Sequence, residues 1–158
     1  MNIVVNVSDA RASAAADDTL VTYALGSCIG VALYDSVSRV AGLLHFQLPT
    51  STLDAKKAAE NPMMFADTGM NHLVSLMERS GAQMQRIKVK LAGGAEMLND
   101  AKLFSIGRRN HAAIRKVLWQ AGMLIEAEDV GGGSPRTMYV RPANGEVRVK
   151  TQAQEKVL

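Results

Sequence analysis

The side chains best suited to chemistry in this chain are a single cysteine, Cys28, and a histidine that follows it, His45. Cys28 lies in Thr22-Tyr-Ala-Leu-Gly26-Ser27-Cys28-Ile-Gly30, between two runs of β-forming residues. A thiol in such surroundings is most often a small buried hydrophobe. Three features point to a nucleophile instead. Gly26 and Gly30 let the backbone turn sharply or come close to a ligand. Gly26, Ser27 and Cys28 can present consecutive backbone N–H groups, which is what an oxyanion requires. His45 ends the apolar run Val40–Phe46 and can act as a base if the two runs pair as neighbouring strands. The bland alternative for His45 is a core histidine bonded to a backbone carbonyl. A Cys–His site also needs a third group to orient the imidazole. The Thr22 hydroxyl can do this, although threonine is common in strands whatever its role. His72 and His111 fall early in predicted helices and read as surface residues.

Other chemistries find little support. One cysteine excludes an internal disulfide and every multi-cysteine metal site. The histidines stand 27 and 39 positions apart with no His-Glu-x-x-His pattern, so no metal is expected. Gly131-Gly132-Gly133 is not followed by a helical pattern and there is no phosphate-loop motif, so no nucleotide cofactor is expected. Aromatic residues make up 4% of the chain and the basic residues are scattered, which argues against nucleic acid. The longest uncharged stretch, Thr19–Tyr34, is interrupted by Thr22, Gly26, Ser27 and Gly30 and is too short to cross a membrane. No export signal is evident, so a cytoplasmic location is expected. Charge is uneven, net −2 over residues 1–100 and net +5 over residues 101–158. The basic part can meet an acidic partner, but solvated helix faces and strand edges explain it better.

The elements that must position these residues read as follows. With 158 residues, 47% hydrophobic and 21% charged, the chain is expected to form one domain, 1–158. Asn2–Val7, Leu20–Leu25, Ile29–Tyr34 and Val40–Phe46 read as strands, with residues 8–18 as a polar connection. Residues 50–66 read as a loop with a helical turn near Ala55–Glu60. Met70, Leu73, Val74 and Met77 fall on one helical face, with Asp67 as N-cap and Gly81 as terminator. Ile87–Leu91 is a strand running into Gly93-Gly94. A second helix spans about Arg108–Gln120, with Gly122 beyond its end. Met123–Ala127, Thr137–Val140 and Val147–Lys150 are closing strands, the last two joined by a turn at Asn144-Gly145. Many strands with two good helices predict an α/β (α+β) domain.

Several strings together resemble the CheD family, chemoreceptor glutamine deamidases of bacterial chemotaxis. They are Thr22-x-x-Leu25-Gly-Ser-Cys28-Ile-Gly-Val-Ala-Leu-Tyr34-Asp35, His45-Phe-Gln-Leu-Pro49, Lys90-Leu-Ala-Gly93-Gly94-Ala95-Glu-Met97, Ile106-Gly-Arg-Arg109-Asn110 and Ala127-Glu-Asp129-Val-Gly131-Gly132. The resemblance implies a mixed β-sandwich with flanking helices and a Cys–His–Thr triad of Cys28, His45 and Thr22. It implies hydrolysis of receptor glutamine side chains to glutamate on methyl-accepting chemotaxis receptors, without a cofactor, and in some bacteria a CheC-type chemotaxis phosphatase as partner. Gly26 and Ser27 are expected at the oxyanion. Gly93-Gly94, Gly131–Gly133 and the loop at 48–66 are expected at the rim, with Arg109, Asn110 and Asp129 bracing these turns or serving only as cap and ion-pair residues. Leu44 departs from the family, where a small residue usually precedes the histidine, as do Gly133-Ser134-Pro135 and Arg141 in the last hairpin. The same thioester chemistry would serve a transglutaminase or a methylesterase. A non-catalytic adaptor that binds a phosphatase or a receptor is the alternative outside enzymes, and a redox-sensing thiol is disfavoured because a resolving cysteine is absent.

Overall fold

The computed structural model describes residues 1–96 and 105–158; Met97 of the glycine-containing string lies outside them. Among the described residues the elements run β1 (Asn2–Val4), β2 (Asp9–Ser13), β3 (Thr19–Leu25), β4 (Ile29–Asp35), β5 (Val40–Phe46), α1 (Ala55–Glu60), α2 (Ala66–Arg79), β6 (Ile87–Gly93), α3 (Ile106–Gln120), β7 (Ile125–Val130), β8 (Arg136–Val140), β9 (Val147–Lys150) and β10 (Glu155–Val157). They form two mixed sheets. The first has the order β1-β3-β8-β9-β10 and the second β2-β5-β4-β6-β7. In the first, β1 runs parallel to β3; in the second, β7 runs parallel to β6; the remaining pairs are antiparallel.

The unbroken apolar runs in β4 and β5 reflect burial on both faces. Every residue of β5 is buried. Alternate side chains of these strands serve two different cores. Ile29, Val31, Leu33, Leu44 and Phe46 pack with Met70, Leu73 and Met77 of α2 and with Ile114 and Leu118 of α3. Ala32, Ala41 and Leu43 pack against Leu20, Leu25, Met138, Val140 and Val149 of the first sheet. The result is three layers, sheet on sheet with helices over the outer face of the second sheet. It is the sandwich with flanking helices that the resemblance implies.

Four local expectations are corrected. Residues 9–13, expected within a polar connection, form β2 because they pair along β5, Asp9 opposite His45 and Ser13 opposite Ala41. Asp67 does not cap α2. The helix begins at Ala66 behind Phe65, and the Asp67 carboxylate instead accepts from Ser51 N and Ser51 Oγ at 3.0 and 2.6 Å. The strand β10 was not apparent from Glu155-Lys-Val and exists through its pairing with β9. Helix α3 also starts at Ile106, two residues before the expected Arg108.

Asp35 holds together the end of the second sheet remote from Cys28. It is fully buried. Its carboxylate accepts from Val37 N and Ser38 N in the β4–β5 turn, from Gln83 N, and from Arg86 Nη2 at 2.8 Å. Burial pushes the carboxyl up, but the Arg86 guanidinium and these three amides outweigh it and hold it well below the usual carboxylate range. Replacing it strands three amides and a guanidinium. Asp35→Ala is therefore expected to lower the unfolding free energy by about 3 kcal/mol. Urea denaturation followed by circular dichroism checks this, and a loss below about 1 kcal/mol would contradict the assignment.

Candidate active site

Cys28 lies at the point where the chain passes from the first sheet to the second, between the end of β3 and the start of β4. Strand alternation puts Cys28 on the same face of β4 as Gly30 and Ala32, and it is half-buried against the core between the sheets. His45 stands directly opposite Gly30 in the β4–β5 ladder. Cys28 and His45 are thus diagonal cross-strand neighbours, at a spacing that long and ring side chains bridge. The absence of a side chain on Gly30 lets Met138 and Leu25 of the first sheet pack directly over that face.

Thr22, from the first sheet, completes the group. Its Oγ1 lies 2.7 Å from His45 Nδ1 and 2.7 Å from the Val5 carbonyl oxygen. A hydroxyl has one proton and a carbonyl can only accept. The Thr22 O–H therefore donates to Val5 O, and its lone pair accepts from His45 Nδ1–H. This fixes the tautomer: Nδ1 carries the proton and Nε2 is bare. Nε2 is buried and makes no hydrogen bond among the described residues. His45 has no exposed surface, and desolvation lowers its pKa from 6.5 to about 4. At neutral pH it is a neutral base. Of the two ways a histidine can assist a thiol, this environment favours accepting the proton over standing ready as imidazolium.

The Gly26-Ser27-Cys28 turn is held by all three of its carbonyls. Gly26 O accepts from Ala95 N and Cys28 O from Gly94 N, both at 2.8 Å, while Ser27 O accepts from a side chain of α3. Gly94, expected at the rim, therefore braces the nucleophile turn through its N–H. Gly93 and Gly94 both have positive φ, and a Cβ on Gly93 would collide with the Cys28 carbonyl; only glycine permits this crossing. The Gly26 N–H is also engaged, by Ala24 O at 3.0 Å. Ser27 N–H makes no hydrogen bond among the described residues and is the amide of this turn suited to an oxyanion.

The second glycine turn packs against this one. Gly131 N donates to Gly93 O, and Glu96 N to Gly132 O, so the two glycine turns lie together. Sequence reasoning missed the residue that joins them, Arg136. It is 7% exposed and donates to Gly131 O at 2.7 Å and to Gly93 O at 3.3 Å, with Asp129 at 3.5 Å. No sequence signal marks it, because its partners are main-chain carbonyls far along the chain. Asn110 is buried behind the turn, while Arg109 is exposed. His111 is bonded to Glu128 at 2.8 Å, and both it and His72 are half-buried. Leu44 points into the helix layer, with its methyl groups over Gly69, so this departure does not touch the site. Among the described residues no group of histidine, cysteine and carboxylate side chains is arranged to hold a metal, and no helix is long and apolar enough to cross a membrane.

Comparison with known proteins gives the family. The family model described as CheD chemotactic sensory transduction matches residues 47–151. The chain is 43% identical over 156 residues to a protein of Solibacter usitatus named probable chemoreceptor glutamine deamidase CheD, covering 99% of this chain and 92% of that one. It is 46% identical over 150 residues to a probable chemoreceptor glutamine deamidase CheD of Syntrophus aciditrophicus, covering 95% and 94%. A relative of the same name from Clostridium tetani is 44% identical over 137 residues, covering 85% and 82%.

The buried imidazole has a consequence for stability. Its folded pKa of about 4 lies below its ordinary 6.5, so the unfolded chain takes up this proton first as pH falls. The contribution of His45 is fully present above about pH 6.5 and is lost as pH falls toward 4, by on the order of 3 kcal/mol in total. Urea midpoints measured from pH 7 to pH 4 are expected to fall across this window, and the His45→Gln variant to lose most of that slope. Equal slopes in the two proteins would show that His45 is not desolvated.

Proposed function

The chain belongs to the CheD family, and from that premise we propose that it deamidates glutamine side chains of methyl-accepting chemotaxis receptors to glutamate, with Cys28 as nucleophile. The observation that carries the reading is the directed chain from His45 Nδ1–H to Thr22 to Val5 O, which leaves the Nε2 lone pair beside the strand that bears the thiol.

An amide is a weak electrophile, so the reaction needs a strong nucleophile, a held oxyanion and a proton for the departing nitrogen. His45 Nε2 takes the thiol proton as Cys28 Sγ bonds to the glutamine Cδ. A neutral imidazole suits this, because the ordinary thiol pKa of about 8.5 leaves little thiolate at neutral pH. The Ser27 amide holds the developing oxyanion, a well-aimed donor contributing about 3 kcal/mol. The imidazolium then gives its proton to the nitrogen, the C–N bond breaks and ammonia leaves a thioester. Water, deprotonated by the same nitrogen, attacks the thioester carbonyl. The C–S bond breaks, and glutamate and the free thiol are released. Thr22 holds the ring in one tautomer and one direction throughout.

In this reading residues 1–158 form one deamidase domain acting in the cytoplasm. A CheC-type phosphatase, implied by the family resemblance, is proposed as a second partner and is tested by co-sedimentation with the purified chain. Mass spectrometry of a receptor cytoplasmic fragment tests the reaction itself. Glutamine is expected to become glutamate with the intact protein and to remain with Cys28→Ala. Thr22→Val is expected to lower kcat by about 100-fold, and the acid limb of kcat/KM to lie well below pH 6.5. No conversion of the receptor fragment, with binding retained, would overturn the enzyme reading and favour the adaptor. Incorporation of an added amine in place of water, or release of methanol from a glutamyl methyl ester offered in place of the amide, would redirect it to transglutaminase or esterase chemistry.

A further inference from the structure

Asn110 makes an unusual connection. It is the only asparagine on α3, and no part of it is exposed. Its Nδ2 donates to Ser27 O at 2.9 Å and to Gln47 O at 2.8 Å. Ser27 immediately precedes the cysteine, and Gln47 is two residues beyond the histidine. Both partners are carbonyls, which fixes which end of the amide faces them. The β4–β5 ladder ends at the pair Ile29 and Phe46. The next positions along it would be Cys28 and Gln47, and then Ser27 and Leu48. Beyond its end the two segments have no mutual main-chain rung, and a single planar amide of α3 stands in for one.

The helix is placed to do this. Gly107 lies one turn before Asn110 on the same buried face. A Cβ there would collide with the Gly94 and Ala95 carbonyls, so this glycine lets α3 approach the turn. The rest of the buried face, Ile114 and Leu118, is apolar. The Asn110 Oδ1 is buried and has no hydrogen-bond partner among the described residues. An unsatisfied buried acceptor is unfavourable for stability, and such violations of good packing concentrate at functional sites.

We infer that Asn110 is a positioning residue that sets the separation of the Cys28 and His45 segments by bridging the Ser27 and Gln47 carbonyls. This deepens the deamidase reading and rests on it for the reaction affected. It does not depend on that reading for the thiol–imidazole geometry. Asn110→Asp keeps the shape and puts an acceptor against both carbonyls; Asn110→Ala removes the bridge. Leu118→Ala, about two turns further along the same face of α3, serves as a control of lowered stability without the bridge.

Two measurements test the inference on the full chain. Deamidation of a receptor fragment is expected to lose about 10- to 100-fold in kcat in both Asn110 variants with KM changed less than about two-fold. The rate of Cys28 alkylation by iodoacetamide, measured from pH 5 to 10, is expected to shift toward that of an unassisted thiol. Leu118→Ala is expected to lower the melting temperature while leaving both readouts near those of the parent. If the Asn110 variants match the parent in kcat and in the alkylation profile, or change only as Leu118→Ala does, the inference is overturned. If the parent itself deamidates nothing, the reaction reading fails, and the alkylation profile alone decides whether Asn110 sets the geometry.

Discussion

Thr22 carries a single hydroxyl proton, and the Val5 carbonyl, which can only accept, takes it. The remaining lone pair can then only receive, so the imidazole must present Nδ1–H and keep Nε2 bare. The direction of proton flow at the site is set by a main-chain oxygen that no substrate reaches. That oxygen is itself placed by β1, which pairs in parallel with β3 and continues to Val5, whose N–H donates to Val21 O at 2.8 Å. An N-terminal edge segment, remote from the thiol in sequence, thereby decides the state of the base.

The layer structure supplies the other requirement, a ring that stays neutral. His45 occupies the inner strand of the second sheet, with the first sheet over one face and the helices beyond the other. Water is excluded from it by Leu25, Leu43 and Met138 on its own side of the strand. The same burial that disfavours the charged ring strengthens its bond to Thr22, because hydrogen bonds gain in a medium of low polarity. Sheet packing and acid–base state are thus two descriptions of one arrangement.

The parts legible in the sequence were those with local causes. Cys28 and His45 could be brought together because two apolar runs of strand-forming residues join by a short connection, and antiparallel pairing follows from that. Thr22 is a weak signal by itself and was assigned through the resemblance. The glycines were recognised as special but the partners of their amides were not, the one of Gly94 because it lies far back along the chain. Gly94 N–H goes to Cys28 O and Gly26 N–H to Ala24 O. β2 was missed for a related reason. Asp-Ala-Arg-Ala-Ser has little strand preference of its own and becomes a strand only beside β5. Arg136 and Asn110 were the least legible in role, since both act on main-chain carbonyls that carry no sequence signature.

The candidate triad is divided between the two sheets: Thr22 belongs to the first, Cys28 and His45 to the second. The first sheet surrounds β3 with β1 from the start of the chain and β8 from near its end. A ribosome therefore releases the thiol and the imidazole long before it releases the strand that completes the bed of Thr22. The hairpin that carries both reactive groups can form early, but the ring has no fixed tautomer and no dry surroundings until the C-terminal strands have docked. The surroundings that would arm the thiol in the proposed reaction are thus complete only once strands from both ends of the described fold have come together.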